Sequence, residues 1–84
     1  MPVYVWGMGK AGIPLALSIV ESGQKVIGID ANKKRVEQLN KGINPIPEEP
    51  NITELLKKHI GNNFIVMTSE DYAKEAKRNK SAMP

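Results

Sequence analysis

Three short apolar runs and one longer apolar segment stand out against the polar positions of the chain. Val3–Trp6 is continuous and ends at a glycine, which is typical of a strand buried on both faces. Residues 25–29 and 64–67 predict two further strands by the same pattern. Residues 13–20 are almost wholly apolar but form a longer segment, so they predict a helix packed against the sheet.

Glycines and capping residues mark the ends of the helices. Gly23 follows the first helix and is expected to close it in a left-handed cap. A second helix is predicted over about residues 33–41, with Asn32 or Ala31 as its N-cap and Gly42 as its stop. Two further N-caps are predicted from a polar residue followed three positions later by an acid, namely Asn51 with Glu54 and Thr68 with Asp71.

The order of the elements is strand, helix, strand, helix, helix, strand, helix. Such alternation is typical of α/β proteins with a parallel sheet and right-handed crossovers. We therefore predict a truncated Rossmann-like doubly wound fold, with three strands in the order 3-2-1 and flanking helices. Residues 1–76 form the predicted N-terminal half of such a domain, and residues 77–84 form a basic polar tail.

A glycine motif lies between the first strand and the first helix. Gly7, Gly9 and Gly12 have the spacing of a dinucleotide-binding loop, and Asp30 ends the second strand 18 residues after Gly12. The motif alone is weak, but a strand before it and an apolar helix after it give the expected context. Gly7 permits the turn, Gly9 lets a pyrophosphate approach the backbone, and Gly12 allows close helix packing. A carboxylate at position 30 would accept hydrogen bonds from the ribose hydroxyls and repel a 2′-phosphate, which favours NAD over NADP.

Composition narrows the function classes further. The 84 residues include no cysteine, which excludes a disulfide, a thiolate metal site and a cysteine nucleophile. The net charge of +3 and the lack of aromatics among the lysine groups argue against nucleic-acid binding. No apolar run is long enough to cross a membrane, and a cytoplasmic location is expected. No catalytic set and no metal site are predicted.

Four other side chains have predicted structural roles. Trp6 and Phe64 are expected in the core, and Met8 is expected either to touch the cofactor or to fill the core. His59, beside two lysines near a helix end, is interpreted as a surface residue or as a partner of the helix dipole.

Several segments together resemble the N-terminus of the nucleotide-sugar 6-dehydrogenases, over about residues 1–75. The resemblance is closest to the UDP-N-acetylmannosamine branch, with the UDP-glucose branch beside it. It implies an NAD-dependent, four-electron oxidation of a sugar C6 alcohol to a carboxylate. It also implies that Asp30 and Arg35 hold the adenosine ribose while the Lys10 and Ala11 backbone meets the pyrophosphate. The segments are GMGKAGIPLA at 7–16, VIGID at 26–30, RV at 35–36, LNKG at 39–42 and NPIPEEP at 44–50.

The family also has a catalytic cysteine and a substrate domain that this sequence does not include. The expected molecule is therefore an inactive NAD-binding fragment that binds NAD weakly. Because the fourth strand of the complete fold is missing, the first strand is expected to be an open apolar edge, and homo-oligomers are expected through that edge and the helix faces.

Two alternatives are a nucleotide-sensing regulatory module of the potassium-uptake type and a structural remnant that does not bind nucleotide. The loop at residues 44–50 and the extra helix after it separate this chain from the regulatory module, which continues quickly into another strand.

Overall fold

A computed structural model describes residues 1–78 of the chain. Three strands form one parallel sheet in the order β1-β2-β3, which confirms the predicted order 3-2-1. In register, Val3 pairs with Val26 and Val26 pairs with Phe64. With helices flanking this sheet, the fold is α/β and Rossmann-like. The strands are β1 at Val3–Trp6, β2 at Val26–Asp30 and β3 at Phe64–Thr68.

Within residues 1–78, four helices connect and follow the strands, close to their predicted positions. The second and third both lie between β2 and β3, as the sequence predicted. The fourth helix continues through Arg78 and so includes the first two residues of the predicted tail, while the rest of that tail lies outside the described residues. The helices are α1 at Gly12–Glu21, α2 at Lys33–Asn40, α3 at Pro50–His59 and α4 at Ser69–Arg78.

Two predicted N-caps are confirmed and one is wrong. The Asn32 side chain accepts a hydrogen bond from the Arg35 amide at the start of α2, and Thr68 accepts from the Asp71 amide at the start of α4. Asn51 is not an N-cap, because α3 begins at Pro50, one residue before it. Proline favours the first helical position, since its φ is already helical and its missing N–H has no partner to lose there.

The expectation that β1 is buried on both faces is wrong. Val5 is buried, but Tyr4 is 44% exposed and Trp6 is 60% exposed, so Trp6 is not a core residue. Both aromatic rings meet the Tyr72 ring of α4 edge to face, at centroid distances of 5.8 Å and 5.2 Å. β1 is the edge strand of the described sheet, and Tyr72 of α4 covers part of this face of it.

The core lies between the sheet and the helices α1, α2 and α3. Phe64 is fully buried there, as predicted. His59 is also buried, which corrects its interpretation as a surface residue. Its ring nitrogen Nε2 is hydrogen-bonded to Glu21 at the end of α1, and Lys58 Nζ lies 3.4 Å from the same carboxylate. This contact joins the last residue of α1 to the last turn of α3.

Candidate functional site at the glycine loop

The turn between β1 and α1 is built by two of the three motif glycines. Gly7 has a φ of +94°, a conformation that side chains rarely adopt, and its N–H donates to the Ile29 carbonyl of β2 at 2.7 Å. Gly12 lies against this turn so closely that a Cβ there would be 1.7 Å from the Gly7 carbonyl oxygen. The predicted reasons for glycine at both positions are therefore confirmed.

Gly9 differs from the other two glycines. Its φ is not positive, and a Cβ there would meet only Arg35 Nη1, at an ordinary 3.6 Å. Neither backbone strain nor packing within residues 1–78 requires a glycine at this position. The surface it leaves bare lies at the tip of the loop, next to the N-terminus of α1.

The Asp30 carboxylate is held by two backbone amides at the end of β2. Its Oδ2 accepts from the Met8 N–H at 2.7 Å, and its Oδ1 accepts from the Asn32 N–H at 2.8 Å. A carboxylate offers about four lone-pair positions. Each oxygen can therefore accept one further hydrogen bond, and the ribose hydroxyls of an adenosine have the matching donors.

Arg35 reaches the glycine loop from α2. Its Nη1 donates to the Met8 carbonyl at 3.1 Å, and the same atom lies above Gly9. The guanidinium thus brings a positive charge beside the tip of the loop. The structure places Gly9, Asp30 and Arg35 around one residue, Met8.

Lys10 and Ala11 complete the loop in different ways. Ala11 is the N-cap residue of α1, and its own amide and that of Gly12 have no protein acceptor within residues 1–78. The Lys10 side chain is 84% exposed, and its Nζ lies 3.1 Å from Glu48 of the proline-rich loop. The pKa of the Glu48 carboxyl is lowered by a backbone hydrogen bond within its own residue and, second, by Lys10.

Sequence reasoning missed one contributor to this site. Gly28 lies inside β2, where a Cβ would be 2.6 Å from the Met8 sulfur and 3.3 Å from Phe64. A lone glycine within an apolar strand is the signal that could have revealed such a close approach. Met8 is completely buried, so of its two predicted roles the structure supports the core filler.

Other kinds of site find no support in the described part of the chain. Across residues 1–78, no three or more acidic or histidine side chains are grouped so that they could hold a metal ion. The helices within the same residues are too short and too polar to span a bilayer.

Comparison with known proteins agrees with this geometry. The model of the UDP-glucose/GDP-mannose dehydrogenase family, NAD binding domain, matches residues 1–81. An uncharacterised protein of Methanocaldococcus jannaschii is 39% identical over 82% of this chain and 8% of its own length. The UDP-N-acetyl-D-mannosamine dehydrogenase of Methanococcus maripaludis is 40% identical over 80% of this chain and 16% of its own. No solved structure matches the chain significantly.

A third relative, the UDP-glucose 6-dehydrogenase of Bacillus subtilis, is 36% identical over 70% of this chain and 13% of its own length. The chain therefore spans less than a fifth of the length of these relatives. The helix α3, between α2 and β3, also separates it from the regulatory nucleotide-sensing module. The chain belongs to the UDP-glucose/GDP-mannose dehydrogenase family, whose NAD-binding domain its residues 1–81 match, and the cofactor of that family domain is NAD.

Proposed function

We propose that the chain binds the adenosine and pyrophosphate half of NAD at the glycine loop. The observation that carries this proposal is the bare backbone at Gly9, which adjoins the N-terminus of α1 and where neither a contact nor a positive φ within residues 1–78 requires a glycine. The pyrophosphate would approach Gly9 and accept hydrogen bonds from the Lys10 and Ala11 amides, where the helix dipole favours an anion. Gly7 and Gly12 shape the turn that presents these amides.

Asp30 and Arg35 are the proposed ribose residues. The free lone pairs of Asp30 accept hydrogen bonds from the ribose hydroxyls, and its negative charge repels a phosphate on the 2′ oxygen. Arg35 could attract such a phosphate, but it already donates to the Met8 carbonyl. We therefore propose that NAD binds more tightly than NADP.

Calorimetric titration tests this proposal. The intact chain is titrated with NAD and NADP, in parallel with Asp30→Ala and the control Glu54→Ala on the exposed side of α3. NAD is expected to bind weakly, in the range of about 0.1 to 1 mM, with weaker binding of NADP and loss of binding in Asp30→Ala. If the folded wild-type chain shows no heat of binding at millimolar NAD, it is a non-binding structural domain instead.

The reaction served by this domain is a separate proposal. We infer that the chain contributes cofactor binding to the NAD-dependent oxidation of a nucleotide sugar, at C6, from alcohol to carboxylate. The UDP-N-acetylmannosamine branch is favoured by the relative from M. maripaludis. The 84 residues offer no thiol to act as a nucleophile, so the chain alone is expected to bind NAD without reducing it when UDP-N-acetylmannosamine is added. The proposed location is the cytoplasm, where both NAD and the nucleotide sugar are present.

A second proposal concerns self-association through β1. The Val3 and Gly7 amides donate toward β2, so the alternation of a strand turns the backbone groups of Tyr4 and Trp6 toward the free edge. Two copies of β1 could pair in antiparallel fashion about Val5, with Tyr4 opposite Trp6 of the partner subunit. The rival surface is α1, where Leu15 is also exposed.

Sedimentation analysis of two lysine variants separates these surfaces. Trp6→Lys places a charge on the edge and is expected to shift the mass toward the monomer, whereas Leu15→Lys is expected to leave the oligomer intact. The opposite result would assign the interface to α1. A monomeric wild-type chain at high concentration would refute self-association by either surface.

A further inference from the structure

One residue of the glycine loop, Met8, is anchored in the core by its side chain. The side chain is completely buried and lies over the bare Cα of Gly28 in β2. A Cβ at position 28 would be 2.6 Å from the Met8 Sδ and 3.1 Å from its Cε. The lack of a side chain at Gly28 therefore makes the space that the thioether occupies.

The backbone of Met8 also makes hydrogen bonds to Asp30 and Arg35, the two residues proposed to bind the ribose. Its N–H donates to Asp30 Oδ2 at 2.7 Å, and its carbonyl accepts from Arg35 Nη1 at 3.1 Å. Resting on the proposed NAD site, we propose that Met8, seated on Gly28, is a positioning residue that orients Asp30 and Arg35 at the ribose and thereby sets the preference for NAD over NADP.

The buried side chain of Met8 connects a change at Gly28 to the position of Asp30. Gly28 and Asp30 are two residues apart in one strand, so both face the side of the sheet on which Met8 lies. A methyl group at position 28 must displace the thioether. Because Met8 is completely buried and Phe64 lies 3.3 Å from the same added Cβ, we expect the displacement to reach the Met8 backbone and to lengthen its bond to Asp30. A carboxylate freed from that amide can rotate away from the ribose, and it then repels a 2′-phosphate less.

The test compares cofactor preference in matched core variants. Gly28→Ala crowds Met8, and Met8→Val in the Gly28→Ala background removes the crowded atoms. The control Val20→Ala lies at the far end of α1, in the same core but away from the loop. The dissociation constants for NAD and NADP are measured by calorimetry, and stability is measured by thermal unfolding.

We expect Gly28→Ala to weaken NAD binding about tenfold, as for a lost hydrogen bond to a charged group. The ratio of the dissociation constant for NADP to that for NAD should fall by a similar factor. The double variant is expected to regain most of the ratio. Val20→Ala is expected to unfold at a lower temperature with an unchanged ratio. An unchanged ratio in folded Gly28→Ala overturns the proposal, as does an equal change in Val20→Ala. If Gly28→Ala does not fold, Met8→Ala removes the anchor from the other side and should narrow the same ratio.

A measurement without cofactor separates this inference from the proposed function. Exchange of the Met8 amide hydrogen, followed by NMR, reports directly on its bond to Asp30. Gly28→Ala should speed this exchange beyond the change in global stability, whereas Val20→Ala should not. Unchanged exchange at Met8 refutes the positioning role. Failure of the wild-type chain to bind NAD refutes the NAD site and, with it, the role of Met8 in cofactor choice. NAD binding with an unchanged ratio in Gly28→Ala refutes the role of Met8 alone.

Discussion

Gly12 and Gly7 touch through their backbones, with no room for even a methyl group between the start of α1 and the end of β1. A Cβ on Gly12 would be 1.7 Å from the Gly7 carbonyl oxygen and 2.9 Å from its carbon. Neither atom belongs to a flexible side chain, so the helix itself would have to move. The contact fixes the distance between the helix N-terminus and the strand, and so the shape of the loop between them.

We predict that Gly12→Ala destabilises the fold strongly, by about 3 kcal/mol or more, because overpacking at a rigid backbone cannot relax locally. Urea unfolding followed by circular dichroism measures this loss. The control is Gly23→Ala, where φ is +101° but nothing lies within 4 Å of a Cβ. There only the left-handed strain of about 1–2 kcal/mol applies. Gly12 itself does not have a positive φ, so a loss there no larger than at Gly23 would contradict the proposed effect of the close contact.

Gly9→Ala should separate binding from stability. A Cβ at Gly9 meets only the end of Arg35 at 3.6 Å, so the free energy of unfolding should change by less than about 1 kcal/mol. The same methyl would stand where the pyrophosphate must approach, and NAD affinity should fall at least about tenfold. Unfolding and calorimetric titration of one protein preparation give both values. A large loss of stability with unchanged affinity would contradict the proposed role of Gly9.

The elements of this fold were predictable because their signals are local. The apolar run of β1, the glycine turn after it and Asp30 at the end of β2 each depend on residues close in sequence. The predicted N-cap of α3, Asn51, lies two residues after the observed N-cap, Glu49, because the helix begins at Pro50.

Exposure and pairing were predicted less well, because they depend on which element lies opposite. The sequence of β1 does not say that its strand forms an edge, so Trp6 was expected in the core. His59 is predicted to be a surface residue or a partner of the helix dipole because it lies beside two lysines near a helix end. Its partner Glu21 lies 38 residues away, and no local pattern indicates that contact. The contact between Met8 and Gly28 also joins residues that are distant in sequence, so no local pattern indicates that these two meet.

The contact between Glu21 and His59 predicts a dependence of stability on pH. The pKa of the Glu21 carboxyl is lowered from its ordinary 4.5, first by the hydrogen bond from His59 and further by Lys58. A depressed pKa in the folded state means that the stabilisation is complete above the unfolded pKa and is lost as the pH falls through the folded pKa. The urea midpoint should therefore fall less steeply with acid in Glu21→Gln than in the wild type.

The matched control is Glu54→Gln on the exposed side of α3. It should leave the acid side of the stability profile as steep as in the wild type. Parallel profiles for Glu21→Gln and the wild type between pH 7 and about pH 3 would show that the pKa of Glu21 is the same in the folded and unfolded states. The bond to His59 would then not lower that pKa.

The ion pair between Lys10 and Glu48 places a carboxylate beside the proposed pyrophosphate site. Both side chains are largely exposed, at 84% and 50%, so the pair should add little to stability. Glu48→Gln should leave the urea midpoint unchanged but raise NAD affinity roughly two- to fivefold, because it frees the Lys10 ammonium and removes a charge that repels phosphate. Calorimetry at low and moderate salt measures the effect, which should shrink as salt screens the charges. Glu49→Gln, one residue along the same loop, is the control and should change the affinity less. An equal gain from both variants would indicate a general effect of net charge and not the contact with Lys10.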